Sequence, residues 1–295
     1  MTRMNDHLEA LQKIGYTIFE NLLPPEYIAS LRNALEPYHA EQRFGRNGFE
    51  GLHSQRTYGL LAKSPVFADL ATWPTLLEVC DRLLEPSYLL SAFFSNRIHP
   101  GEVMGPLHYD EGFYHIPRPR RAFVVSALWA IDEFAEHNGA TEMIPGSHLW
   151  GDDRIPAPDE PGAVPIVMPA GSVVVMLGTM WHRSGANRST VPRIAINAEY
   201  CEPYLRQIEN MSLLIPPEKA KQYSRRIQEL LGYSIHSGFI GYVDGLHPLR
   251  LVDREYGQHG TSEAGKAAAD LLTRPGSWHL SGGYQAPAGS DPAGG

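Results

Sequence analysis

Two short stretches of this chain place side chains that could bind a metal. The segment "LHYDEG" carries His108 and Asp110 two residues apart, and "TMWHRSG" carries His182 at the end of an apolar run. Residues i and i+2 of a strand point to the same face, so His108 and Asp110 are predicted to project together. Two histidines and one carboxylate that leave coordination positions open suit a non-haem Fe(II) centre. Taken alone, the HxD triplet would also fit a surface or hydrogen-bonded pair.

An arginine follows at a position where its charge needs a partner. Arg193 lies eleven residues after His182, and on the apolar segment "RIAINAEY" it shares one strand face with Ala195 and Asn197. A buried guanidinium is costly unless it meets an acid, and it binds a carboxylate through two parallel hydrogen bonds. The distal carboxylate of 2-oxoglutarate is one candidate partner, with its keto-acid end on the iron. An acid of the protein itself at the rim of the fold is the other.

The elements that must position these side chains are predicted to be short strands. Six or more apolar segments, separated by Gly, Pro and Asn turns, follow one another between residues 87 and 202. They include "PLHYDEG", "GSVVVMLGTMWH" and "PRIAINAEYCEP". This pattern is typical of a sandwich, a jelly roll or a barrel.

Helices are predicted on both sides of this β core. Helical spacing of apolar residues marks 4–14, 23–41 and 216–233, whereas the Gly-rich residues 43–62 are predicted to form a loop. The expected organisation is one mainly β domain with flanking helices over residues 1–282. The Gly- and Pro-rich residues 283–295 are predicted to be a disordered tail.

Charge and composition exclude several classes of partner. The net charge is −8, and no block of Lys or Arg suggests a nucleic-acid surface. Two cysteines, Cys80 and Cys201, are too few for a disulfide framework. No apolar run is long enough to cross a membrane, and the polar N-terminus does not resemble a signal peptide. A cytoplasmic protein with a small-molecule substrate is therefore expected, and its oligomeric state is left open.

The chain resembles the phytanoyl-CoA dioxygenase family of Fe(II)/2-oxoglutarate-dependent oxygenases from about residue 12 to 252. The resemblance is carried by "GYTIFENLLPPEYIASLRNAL", "LHYDEGFY", "NGATEMIPGSH", "WHRSGANRSTVPRIAIN" and "ENMSLLIPPE", the last continued by "LLGYSIHSGFIGYVDGLHPLR". The combination of HxD, a later His and an Arg eleven residues after it is specific, although no single part is. The resemblance implies a double-stranded β-helix, which is a jelly-roll barrel like that of cupins.

The resemblance also implies roles for individual residues. His108, Asp110 and His182 would bind Fe(II), and Arg193 would bind 2-oxoglutarate. In such proteins a polar residue on the strand before HxD and the Thr of the "GAT" turn often contact the co-substrate as well. Asn96 and Thr141 occupy those positions here.

The implied reaction uses O₂ and 2-oxoglutarate, releases succinate and CO₂, and oxidises an unactivated C–H bond, most simply by hydroxylation. Relatives that halogenate lack the carboxylate of the HxD triplet, so Asp110 favours oxygen insertion, desaturation or epoxidation. Tailoring of a secondary metabolite and oxidation of an acyl-CoA are both compatible with the sequence.

Two other classes stay open. One is a cupin-like metalloenzyme that works without 2-oxoglutarate, such as an isomerase, which would have no need of Arg193. The other is a non-catalytic binding module, which would be free to lose the metal ligands.

Two loops are candidates for substrate contact. The segment "EGFYHIPRPRRAF" offers aromatic side chains and a basic cluster that could meet an anion, namely Phe113, Tyr114, His115, Arg118, Arg120 and Arg121. The segment from Arg43 to Tyr58 offers His53 and Arg56. In each case an ordinary solvated loop is the alternative.

Overall fold

The computed structural model describes residues 3–41 and 43–256. Its α-helices are α1 (Met4–Ile14), α2 (Pro25–His39), α3 (Leu60–Lys63), α4 (Phe67–Ala71), α5 (Pro74–Leu83), α6 (Met211–Leu214), α7 (Pro217–Ala220), α8 (Arg225–Leu230) and α9 (Leu249–Val252). Its strands are β1 (Tyr16–Phe19), β2 (Ser54–Thr57), β3 (Leu89–Ile98), β4 (Val124–Ala130), β5 (Thr141–Met143), β6 (Val164–Pro165), β7 (Val173–Leu177), β8 (His182–Ser184) and β9 (Arg193–Cys201). Short 3₁₀ helices span Asp110–Phe113 and Ser147–Leu149. The predicted tail at 283–295 lies outside the described residues.

Two antiparallel sheets form the core. The larger has the strand order β1-β7-β4-β9-β3-β2, and the smaller has the order β6-β5-β8. This arrangement confirms the predicted mainly β jelly-roll fold with flanking helices. The larger sheet extends beyond residues 87–202, because β1 and β2 form its two edges. The prediction of a loop over 43–62 was wrong at β2, whose polar "SQRT" sequence has no apolar alternation but pairs with β3.

The larger sheet separates a helix-covered face from an inner face. On β4, Val125, Ala127 and Trp129 belong to the core shared with the helices, and Trp129 contacts Trp73 edge-on at 5.8 Å between ring centroids. The intervening residues Leu128 and Ala130 face the space between the two sheets. The period-two alternation of a strand therefore assigns every second side chain to the interior of the jelly roll.

In most places the helices begin or end where the residues of the local sequence indicate. α1 ends at Gly15, which has φ +90°, and its N–H donates to the carbonyl of Leu11 at 3.1 Å. α5 begins at Pro74, where a missing N–H costs nothing. The prediction of one helix over 216–233 was wrong: it is divided into α7 and α8, and the Ser224 side chain accepts a hydrogen bond from the N–H of Ile227 and begins the second helix. In the part of the chain that the structure describes, every helix is too short or too polar to cross a bilayer.

Two strands near the site have bounds in the structure that differ from those predicted from the sequence. The segment that leads to His182 is not one strand, because β7 ends at Leu177 in the larger sheet and β8 begins at His182 in the smaller sheet. His108 is extended, but Asp110 starts a 3₁₀ helix instead of continuing a strand. The chain therefore changes layer or conformation next to each of these side chains, which apolar patterning does not reveal.

His39, the last residue of α2, is a buried histidine that should make stability depend on pH. It is 2% exposed, and neither ring nitrogen has a hydrogen-bond partner among the described residues. Burial, together with the nearby cations Arg97, His99 and Arg32, lowers the pKa of His39 to about 4, against a smaller opposing effect of Asp132. Between pH 6.5 and 4 the unfolded chain therefore binds the proton more readily than the folded protein does.

We expect His39 to cost stability as the pH falls through this range, by roughly 1.4 kcal/mol per pK unit and at most about 3 kcal/mol. Above pH 6.5 both states are neutral, and the stability is fully retained. Urea unfolding of the wild type and of His39→Leu at several pH values measures the difference. The dependence should weaken in His39→Leu and persist in the exposed-site control His137→Leu. Equal pH slopes in all three proteins would contradict the prediction.

Candidate active site

Two backbone hydrogen bonds bring the HxD segment to the second histidine. The N–H of His108 donates to the carbonyl of His182 at 2.9 Å, and the N–H of His182 donates to the carbonyl of His108 at 2.8 Å. β8 also pairs with β5, with His182 opposite Met143. Antiparallel pairing thus holds side by side two histidines that are 74 residues apart in the sequence.

Asp110 completes a cluster of three possible metal donors. Its Oδ1 lies 3.5 Å from His182 Nε2 and 3.9 Å from His108 Nε2. One donor atom from each of the three side chains lies within 4.8 Å of the others. Asp110 and His182 are buried, whereas His108 is half-buried and its ring contacts that of Phe49 at 4.9 Å between centroids. The cluster therefore lies at the wall of a cavity and is covered from outside by Phe49.

The hydrogen bonds of the two imidazoles leave the correct atoms free for a metal. His108 Nδ1 lies 3.1 Å from the carbonyl of Pro106, and His182 Nδ1 lies 3.0 Å from the carbonyl of Met180. A carbonyl only accepts, so each Nδ1 donates and each Nε2 keeps its lone pair. Burial and the neighbouring His182 lower the pKa of His108 to about 4, which keeps the ring neutral. This donor set fits Fe(II) with three positions left open.

Ser126 holds the remaining oxygen of the carboxylate. Its hydroxyl donates to Asp110 Oδ2 from the inner face of β4 and is fully buried. Asp110 Oδ1 is left facing the two histidines. Ser126 is therefore a positioning residue for the proposed ligand.

We expect Ser126→Ala to lower the affinity for Fe(II) by roughly 10- to 100-fold, which is the usual cost of losing an outer-shell partner. Anaerobic titration of metal-free protein with Fe(II) measures this effect without turnover. Ser95→Ala is the matched control, because the Ser95 hydroxyl is buried on β3 but has no partner among the described residues. Unchanged affinity in Ser126→Ala would show that the hydrogen bond does not orient the ligand.

Arg193 is buried in the same cavity without an acidic partner. It is 2% exposed, and its guanidinium donates to the carbonyl of Gly139 and lies 4.3 Å above the ring of Phe134. Its Nε has no hydrogen-bond partner, and no carboxylate lies within ion-pair distance among the described residues. Burial lowers the pKa of Arg193 to about 10, against a smaller opposing effect of Asp132, so the charge remains near neutral pH. An unpaired buried guanidinium that lines a cavity fits an anionic ligand.

Asn96 and Thr141 lie in the wall of that cavity, which has a volume of about 220 Å³. Asn96 lies on β3 opposite Ala195, and its Oδ1 is buried without a partner. Thr141 begins β5, opposite Ser184 on β8. The structure therefore brings all six predicted site residues to one cavity: His108, Asp110, His182, Arg193, Asn96 and Thr141.

The predicted basic cluster is not free to bind an anion. Arg118 lies 3.3 Å from Asp152, Arg120 pairs with buried Glu111, and Arg121 pairs with buried Glu202. The pairs of Arg118 and Arg121 tie the 110–121 segment to the body of the fold, and the pair of Arg120 closes the segment on itself. Most of the segment is exposed, so it is a solvated loop whose arginines are already paired.

Only part of each candidate loop reaches the site. Phe113 lines the cavity, whereas Tyr114 and His115 line a separate depression beside Trp181. Arg56 also lines the cavity, donates to the carbonyl of Phe49 at 2.9 Å and lies 5.6 Å above the ring of Phe94. His53 does not line the cavity, so Phe49, Arg56 and Tyr58 are the contribution of this loop.

Sequence reasoning missed Ser126, Phe49 and Glu199. The alternation that places Arg193, Ala195 and Asn197 on one face predicts Glu199 on the same face, if it is continued by one step. A lone serine within "VVSALWA" was a weaker signal for Ser126. Nothing in the sequence near Phe49 indicated that it would cover His108.

Comparisons with known proteins agree with this geometry. Residues 11–195 match the family model described as Phytanoyl-CoA dioxygenase (PhyH). The dioxygenase andF of Emericella variicolor is 30% identical over 248 residues, which cover 79% of this chain and 85% of that protein.

Solved structures share the fold. The non-heme alpha ketoglutarate dependent carbocyclase SnoK from nogalamycin biosynthesis is 20% identical, with a TM-score of 0.57 over 69% of this chain and 85% of its own. HygX from Streptomyces hygroscopicus, solved with nickel and 2-oxoglutarate bound, is 17% identical, with a TM-score of 0.58 over 70% of this chain and 89% of its own.

Proposed function

This chain belongs to the phytanoyl-CoA dioxygenase family and is a 2-oxoglutarate-dependent non-haem iron dioxygenase, and on that premise we propose that it hydroxylates a C–H bond of a small-molecule natural product. We propose further that a single domain within residues 1–282 carries this activity. The observation that supports the proposal most strongly is the unpaired, buried guanidinium of Arg193 in the cavity that also holds His108, Asp110 and His182.

Each site residue has a proposed task. Nε2 of His108, Nε2 of His182 and Oδ1 of Asp110 hold the iron, while the Pro106 and Met180 carbonyls and the Ser126 hydroxyl fix their orientation. Arg193 binds the distal carboxylate of 2-oxoglutarate, and Asn96 and Thr141 supply polar contacts beside it. When bound, Fe(II) supplies the activation of O₂ that couples decarboxylation of 2-oxoglutarate, to succinate and CO₂, to oxidation of the substrate C–H bond.

The surroundings of the metal ligands exclude water and hold the substrate. Phe49 covers His108, and Phe94, Leu128 and Met176 provide apolar wall around the polar groups. A largely apolar pocket with a few fixed polar groups is typical of small-molecule sites. No protein residue is required to remove a proton from the carbon, so the task of the wall is to position that carbon.

The ion pairs of the 110–121 segment favour a natural product over an acyl-CoA. A CoA ester brings several phosphate charges, and the basic cluster that could have met them is already paired with Asp152, Glu111 and Glu202. The related fold of SnoK, from nogalamycin biosynthesis, also supports a role in tailoring a preformed scaffold.

The test is an anaerobic titration of metal-free protein, first with Fe(II) and then with 2-oxoglutarate. A weak visible charge-transfer band that forms only when both are present is the expected result, because the keto acid chelates the metal. Bound iron with no such band would overturn the proposal and favour a cupin-like metalloenzyme without 2-oxoglutarate. Failure to bind iron at all would favour a binding module.

A further inference from the structure

We propose that Asn197 and Glu199 form a substrate-recognition pair that binds a hydrogen-bond donor, either a hydroxyl or a protonated amine, on the substrate. This proposal rests on the proposed function, because it assigns the part of the cavity that neither the metal nor 2-oxoglutarate would use. Both side chains lie on the inner face of β9 and line the cavity.

The two side chains leave two acceptor atoms without donors. Asn197 Nδ2 donates to Glu199 Oε1 at 2.7 Å. Asn197 Oδ1 and Glu199 Oε2 are buried and have no hydrogen-bond partner among the described residues. A buried acceptor without a donor is costly, so a pair of them beside a cavity indicates a ligand that donates.

The other buried glutamates in the described ranges show how this chain satisfies a carboxylate for structural purposes. Glu111 accepts from two backbone N–H groups, of Phe123 and Val124, and from Arg120. Glu102 accepts from the His53 N–H at 2.7 Å and from the Ser54 hydroxyl at 2.7 Å.

Glu202 accepts from the Glu85 N–H at 3.0 Å and from Arg121. Glu199 is the exception, with a single amide donor on one oxygen. Its other oxygen has no donor in the described part of the chain, so a structural role does not account for the burial of Glu199.

The position of Glu199 suits substrate recognition near the metal. In the β4–β9 pairing it lies opposite Ser126, whose hydroxyl holds Asp110. Arg193 lies six residues before Glu199 on the same strand face, so the two side chains are about 20 Å apart along the strand at roughly 3.4 Å per residue. The proposed recognition site is therefore next to the Ser126–Asp110 contact, and the anion-binding site is at the other end of the strand face.

The charges around Glu199 also favour a donor. Asp110 and Glu209 are acidic neighbours of Glu199, so a group that donates a hydrogen bond or carries a positive charge is favoured beside it. Arg56 is the basic group in this part of the cavity, and its guanidinium is engaged with the Phe49 carbonyl and the Phe94 ring. A substrate hydroxyl or ammonium would supply the donor that the protein does not.

The first arm of the test needs no substrate. Removal of an under-satisfied buried acid should not destabilise the protein, so Glu199→Gln is expected to keep or raise the melting temperature. Glu202→Gln is the matched control three residues along the chain, and it should lower the melting temperature by several degrees because the amide keeps only one of the two acceptors and loses the ion pair with Arg121. An equal loss in the two variants would show that Glu199 is structural and overturn the proposal.

The second arm uses three probes of similar size: cyclohexylamine, cyclohexanol and methoxycyclohexane. Their affinities are measured by ligand-observed NMR on protein loaded with Zn(II) and 2-oxoglutarate. We expect at least one of the two donors to bind about tenfold tighter than the ether, and Glu199→Gln to remove most of that preference. Preference for the amine indicates a cationic substrate, and preference for the alcohol indicates a hydroxylated one.

Equal affinity for the three probes, or no binding of any, overturns the proposal. The visible band with Fe(II) and 2-oxoglutarate should form normally in Glu199→Gln. Its presence separates failure of the recognition pair from failure of the proposed function, which would remove the band in the wild type as well.

Discussion

Replacing Asp110 with alanine is expected to abolish turnover and to weaken Fe(II) binding by more than the roughly 100-fold that loss of an outer-shell partner costs. Asp110 Oδ1 is the donor that lies nearest to both histidine Nε2 atoms, at 3.5 and 3.9 Å. Two neutral imidazoles would remain, and they cannot offset the metal charge as a carboxylate does. Anaerobic Fe(II) titration and succinate release measure the two effects.

The fold should survive this substitution, because Asp110 is not part of either sheet and its principal partner is the Ser126 hydroxyl. Far-UV circular dichroism and urea unfolding check that point. His108→Ala should behave like Asp110→Ala, whereas the exposed-site control His137→Ala should bind iron normally. Full activity in Asp110→Ala or His108→Ala would show that the ligand assignment is wrong.

Replacing Arg193 with alanine is expected to raise the KM for 2-oxoglutarate by roughly 30- to 1000-fold, which corresponds to about 2–4 kcal/mol for a buried charged contact. The guanidinium is buried, retains its charge and lacks an acidic partner among the described residues. Its removal takes away a two-pronged contact with a carboxylate while the metal ligands remain. Steady-state kinetics at varied 2-oxoglutarate concentration measures the change.

A conservative variant separates charge from geometry at this position. Arg193→Lys keeps the cation but cannot form two parallel hydrogen bonds, so its KM should fall between those of the wild type and Arg193→Ala. Fe(II) affinity in the absence of 2-oxoglutarate should be the same in all three proteins. An unchanged KM in Arg193→Ala would move the anchor to another residue, and Arg56 would be the candidate because Arg183, which also lines the cavity, is paired with Glu142.

The sequence predicted which candidate metal ligands cluster better than it predicted the backbone conformation around them. His108, Asp110 and His182 could be chosen because few side-chain types bind iron and because their order matched a family pattern. The proposed strand conformation at Asp110 was wrong, since that residue starts a 3₁₀ helix, and His182 is on a strand of the smaller sheet instead of the end of β7. Apolar periodicity reports which side chains are buried, but it does not report which sheet a strand joins.

The sequence did not reveal which acidic residue each arginine would pair with. The sequence places Arg118, Arg120 and Arg121 in one basic cluster. In the structure each of them pairs with an acid, and the acids of the last two pairs are fully buried. Arg193 was the arginine predicted to need a carboxylate, and it has none within the described protein. Whether an arginine is paired depends on which acid the fold brings close to it. Glu202, for example, is 81 residues from Arg121 along the chain.

What the sequence determined by itself is therefore the candidate chemistry: the types and order of the proposed metal ligands, an arginine that needs an anionic partner, and a β core with helices outside it. These properties follow from residue type and from the period-two alternation, both of which are local. The tertiary structure alone decided that an isolated antiparallel bridge brings His108 and His182 together, that Ser126 holds Asp110 and that one oxygen of Glu199 lacks a donor among the described residues. Those facts depend on long-range strand pairing, which joins residues whose separation along the chain carries no information about their distance in space.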